Sequence, residues 1–108
     1  MALPTDSVER EEDLRDWLRD RRPEVPAAFL SLLLQGEARA SAGPEGLEKA
    51  GAEAIAEALA APGRNRTAAF RLLAGDALLT YACEATAEEE RPGETLEILL
   101  KRLGDRFR

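Results

Sequence analysis

The chain is almost empty of β-branched apolar residues: two valines and two isoleucines in 108 residues, against 20 alanines and 17 leucines. Strands favour β-branched and aromatic side chains, which fit a pleated, half-buried surface. Alanine and leucine give up little on entering a helix. An all-α fold is therefore what this composition can build. At 44% apolar and 33% charged residues, the chain is ordinary for a globular protein and too apolar for a disordered one. Its length suits a single domain spanning 1–108, with residues 1–5 expected to be disordered.

Proline and glycine divide the sequence into five segments: Pro23 and Pro26, Gly43-Pro44, Pro62-Gly63 and Pro92-Gly93 are the breaks. The first segment, Asp6 to Arg22, opens on helix-capping residues and early carboxylates and closes on Arg19, Arg21 and Arg22, which complements a helix dipole. Its narrow apolar stripe of Val8, Leu14, Trp17 and Leu18 predicts a surface helix docked through Trp17. The second begins at Pro26, a residue suited to a first helical turn. Phe29, Leu30, Leu32, Leu33 and Leu34 point around most of its circumference, which calls for cover on nearly all sides. Its end is open between Gly36 and a continuation through Ala40.

The third segment, Pro44 to Ala61, places Leu47, Ala50, Gly51, Ala54, Ile55, Ala58 and Leu59 at helical spacing, a seam of small residues that permits close approach; Glu48, Lys49, Glu53 and Glu57 fall largely elsewhere. The fourth starts near Asn65 or Thr67 and runs to Thr86 or Ala87, with Phe70, Leu73, Ala74, Ala77, Leu78, Tyr81, Ala82 and Ala85 as its expected core stripe. The fifth, Glu94 to Phe107, sets Leu96, Leu99, Leu100, Leu103 and Phe107 on one side. Five helices with short turns predict a compact antiparallel bundle of four to five helices.

The chain has no histidine, so the usual triads and the commonest metal ligand and general base are excluded. Cys83 lies within the apolar width of the fourth helix and reads as a small buried hydrophobe. Glu53 with Glu57, and Glu84 with Glu88, stand four apart and read as solvated faces rather than cation grips. Asp76 interrupts the run from Leu72 to Leu79; an edge position paired with an arginine is the plain reading, because an unpaired buried charge is costly. Gly75 beside it predicts a close helix crossing. Arg64, Arg66 and Arg71 at the start of the fourth helix, together with Asp76, form the one speculative anion- or ligand-binding group. No catalytic residue, metal ligand or cofactor is expected.

A net charge of −6 and a pI near 4.8 argue against a nucleic-acid partner, which needs a concentrated basic face. No apolar run approaches a bilayer-spanning length, so no membrane partner is expected. The acidic residues Glu9, Glu11, Glu12 and Asp13 stand where a signal peptide would be basic, and a single cysteine cannot form an internal disulfide; both suit the cytoplasm.

Two stretches resemble trans-isoprenyl diphosphate synthases. Leu72-Leu73-Ala74-Gly75-Asp76-Ala77-Leu78-Leu79 resembles a helix of that family. Glu12-Asp13-Leu14-Arg15-Asp16, followed by Arg21-Arg22, is similar to its first aspartate-rich motif and paired arginines. The resemblance implies magnesium at Asp13 and Asp16 and a diphosphate at Arg21 and Arg22. The chain departs from the family in having Glu12 at the first acidic position and no second aspartate-rich motif.

The residues together favour a non-enzymatic protein that acts by association, as a homodimer and then as an adaptor or regulator of another protein. A two-fold dimer that pairs the second helix or the fourth would bury the surplus apolar surface, with Phe29, Leu30, Leu33, Leu34 and Trp17 as the candidate interface residues. The alternative is a small-molecule or diphosphate-binding helical protein distantly related to isoprenoid synthases.

Overall fold

A computed structural model describes residues 14–34, 43–63 and 65–108. Expectations for residues 1–5, for the start of the first helix with Glu12 and Asp13, for the end of the second helix beyond Leu34 and for Arg64 lie outside the described residues. The described chain is all-helical, with no strand among those residues. Its helices are α1 (described over 14–19), α2 (Ala27–Leu33), α3 (Pro44–Ala60), α4 (Arg66–Ala87) and α5 (Pro92–Arg106).

The helix ends follow local chemistry. Pro44 and Pro92 each occupy the first turn of their helices, where a missing N–H costs nothing. Asn65 caps α4: its side-chain oxygen accepts a hydrogen bond from Ala68 N at 3.2 Å, satisfying one of the amides that a helix start leaves free. The turn after α3 needs a left-handed residue, and Gly63 supplies it with φ +64°.

The α3–α4 pair is the centre of the fold. Gly51 faces Gly75, while six residues further along α3 Glu57 meets Arg71, four residues back along α4. The two helices therefore run antiparallel. The close crossing expected at Gly75 is present, with Gly51 as its counterpart. Leu47 on α3 and Ala74, Leu78, Ala82 and Ala85 on α4 meet Leu14 and Leu18 of α1, Leu33 of α2 and Leu99 of α5 in one buried cluster. Helix α2 packs on α4, and α5 packs on both α3 and α4.

Several sequence expectations are overturned. Phe70 and Leu73, placed in the core stripe of α4, are 45% and 55% exposed, and Leu72 is also exposed. The buried residues of α4, Ala74, Gly75, Leu78, Ala82, Ala85 and Thr86, leave these three outside the arc that meets its neighbours. Cys83 is exposed rather than buried, because the buried arc of α4 is narrower than its apolar arc. Glu48, expected off the apolar stripe, is fully buried. Helix α2 exposes only its alanines among its apolar residues: Leu33 is buried, and Phe29, Leu30, Leu32 and Leu34 are half-buried.

Candidate functional site

A first cluster joins α1 to the C-terminal half of α4. The Trp17 indole N–H donates to Glu88 Oε2 at 3.0 Å, and Arg21 Nη1 donates to Glu88 Oε1 at 3.0 Å. The Arg21 guanidinium also lies 3.7 Å from the centre of the Trp17 ring and 3.6 Å from Glu84 Oε2. Tyr81 meets the Trp17 ring edge to face at 5.9 Å, a favoured aromatic geometry. The indole and guanidinium donors hold the Glu88 carboxyl below its usual range. Burial, helped by the charge of Glu84, pushes the Tyr81 phenol up. Trp17, Arg21 and Glu88 are thus joined to one another, and the cluster serves as a staple between α1 and α4. Trp17 does dock α1, as its stripe predicted, and Glu84 and Glu88 converge on Arg21.

Of the residues proposed from sequence as an anion site, the described ones, Arg66, Arg71 and Asp76, make no contact with one another among the described hydrogen bonds and ion pairs. Arg66 is exposed at the start of α4. Arg71 is turned toward α3, with Nε donating to Glu57 Oε2 at 3.0 Å and Nη1 buried without a partner among the described residues. Asp76 is exposed and forms no ion pair among the described residues. Asp16 meets Arg19 at 4.0 Å across exposed side chains, and Arg21 is committed to Trp17 and Glu88. No group of three or more metal-ligating side chains occurs among the described residues, and no described helix is long and apolar enough to cross a membrane.

Among the residues proposed as an interface, Leu33 is buried, and Trp17, Phe29, Leu30 and Leu34 are packed against the protomer's own core. The uncovered apolar surface lies elsewhere. Among the described residues, eight large apolar side chains are exposed, Leu59, Phe70, Leu72, Leu73, Leu96, Ile98, Leu100 and Phe107, whereas six leucines are buried. Leu96, Ile98 and Leu100 belong to α5, and Phe107 is its C-cap.

Helix α5 accounts for this through its orientation. At about 100° per residue, Leu96, Leu99, Leu100, Leu103 and Phe107 make one stripe, with Thr95, Arg102 and Arg106 beside Leu99 at its edge. That edge is what docks. Leu99 is the one buried residue of α5. Arg102 Nη1 meets Glu45 Oε1 at 3.1 Å, and Arg106 Nε lies 3.0 Å from Glu48 Oε2. The centre of the stripe therefore faces outward, with Leu96, Leu100 and Phe107 at 39%, 60% and 45% exposure. On the docked side, Gly43, Pro44, Lys49, Ile98, Leu99 and Arg102 line part of an open groove of about 650 Å³ between α3 and α5.

Sequence periodicity placed the α5 stripe on one side of the helix but did not say which part of it docks. The missed signal is that Arg102 and Arg106 share the side of Leu99, so ion pairs compete with leucines for the contact. No family model, curated protein or solved structure matches this chain.

Proposed function

We propose that this is a small non-enzymatic protein whose helices form an antiparallel bundle and which acts by association, first with a second copy of itself and then as an adaptor or regulator of another protein. The observation that supports it is the excess of exposed over buried large apolar side chains among the described residues, with Leu96, Ile98 and Leu100 on α5 and Phe107 at its C-cap. Contiguous apolar surface of this kind marks interaction sites. The exposed thiol of Cys83 fits a reducing compartment such as the cytoplasm.

The diphosphate-binding alternative, with its distant kinship to isoprenoid synthases, has less behind it. Arg21 and Arg71 are each held by carboxylates of the same chain, so a diphosphate would have to displace an internal ion pair at either place. Sedimentation velocity over a range of concentrations tests the association reading. A rise in weight-average mass from one chain toward two is expected. A single-chain mass up to about 100 µM, where even a weak specific contact would register, sinks it.

A further inference from the structure

We infer that the outward stripe of α5 is the self-association surface, pairing with α5 of a second copy in antiparallel, two-fold fashion; this rests on the association reading above. Leu96, Leu100, Leu103 and Phe107 follow one another at intervals of four, three and four residues. That is the 3.5-residue period of a helix–helix seam, in which each side chain fits between those of a facing helix. The other exposed apolar residues of α4, Phe70, Leu72 and Leu73, lack this order: Leu72 and Leu73 are consecutive and point about 100° apart.

A second copy matches the seam chemically. A two-fold axis near the middle of α5 sets Leu96 beside Phe107 of the copy and Leu100 beside Leu103. Each contact then occurs twice, as an isologous interface requires. The flank of the seam carries Glu97, Lys101, Gly104 and Arg108. Antiparallel pairing places Glu97 opposite Gly104 of the copy, between its Lys101 and Arg108, so an acid meets two bases. Gly104 has nothing within 4 Å of where a Cβ would stand, which leaves room for that approach. Arg108 contacts Asp105 at 3.5 Å through exposed side chains, a surface pair too weak to hold it from another carboxylate.

The seam is short. A pair of such helices buries on the order of 1,000 Å² in total, the low end for specific interfaces. The dimer is therefore reversible, dissociating in the micromolar range.

Sedimentation velocity on the full chain separates this inference from the reading beneath it. Leu100→Glu and Phe107→Glu each change an exposed position, and circular dichroism checks that each variant stays folded. Each should weaken the dimer by about tenfold or more, while Leu73→Glu on α4 should leave it unchanged. Glu97→Lys alone, or Lys101→Glu with Arg108→Glu, should weaken association about threefold, and combining all three substitutions should restore it. A wild-type dimer that Leu100→Glu and Phe107→Glu leave intact overturns the α5 assignment while leaving self-association standing. A wild-type monomer overturns both. Loss of association in the stripe variants without recovery in the triple charge exchange overturns the antiparallel register.

Discussion

A Cβ added to Gly75 would stand 2.9 Å from the carbonyl oxygen of Gly51, and one added to Gly51 would stand 3.0 Å from that of Gly75. The α3–α4 crossing is thus closed by two backbones in contact. Gly75→Ala gains about 1 kcal/mol of helix propensity, but overpacking costs about 1–3 kcal/mol, and a backbone carbonyl cannot rotate aside as a side chain would. A net loss of up to about 2 kcal/mol in urea unfolding is expected. Gly104→Ala, in the open part of α5, should instead gain up to about 1 kcal/mol. Equal effects at the two glycines would refute the crossing.

The glycine pair shows what was legible in the sequence. Gly51 and Gly75 each interrupt an alanine- and leucine-rich helix, and close approach is the reason a helix tolerates such an interruption. The prolines and Asn65 marked the element boundaries for similarly local reasons. What could not be read was which arc of each apolar stripe meets a neighbour. Periodicity gives the width of a stripe, while its docking depends on where its neighbours sit and on rare long-range ion pairs. Phe70 and Leu73 stand outside the buried arc of α4, and Leu100 is uncovered because Arg102 and Arg106 turn α5 onto the edge of its stripe. Arg21 and Glu88 lie 67 residues apart, and nothing in local sequence announces their contact.

Acid sensitivity should trace in part to Glu88. Its carboxyl is held below the usual range by donors that exist only in the folded chain. As pH falls, the unfolded state takes up this proton first, so the stability it contributes is present above the ordinary glutamate range and is lost through the lower, folded value. Glu88→Gln should therefore be less stable than wild type at pH 7, with the difference narrowing below about pH 4. Melting curves by Trp17 fluorescence give the comparison; a constant difference across that range would mean that the contacts at Glu88 do not form. Tyr81 behaves oppositely: its raised phenol keeps its proton when folded, so its contribution disappears as pH rises beyond about 10.

Cys83 stands on the solvent side of α4. It should react stoichiometrically with an aromatic disulfide reagent under native conditions, without a denaturant requirement. Protection that yields only on unfolding would place Cys83 inside and would redraw the buried arc of α4. Because Cys83 is not on α5, its labelling should also leave any self-association through that helix unchanged.

Glu48 and Arg106 fix the far end of α5 and make the sharpest test of how it docks. The Glu48 side chain is fully buried, and Oε2 lies 3.0 Å from Arg106 Nε. No donor N–H is aligned on either carboxylate oxygen among the described residues, so the attachment is Coulombic rather than a directed hydrogen bond. A buried ion pair of this kind adds little net stability, yet removing one partner leaves a stranded charge. Arg106→Ala should cost about 2–3 kcal/mol, below the fully buried limit because the arginine is partly exposed. Adding Glu48→Met to Arg106→Ala should recover most of that loss, since methionine fills the space without a charge. Chemical denaturation of the four members of the cycle gives the coupling between the two sites. If the double variant is as unstable as Arg106→Ala alone, the stranded carboxylate is not the cause, and α5 is held by Leu99 and the Glu45–Arg102 pair instead.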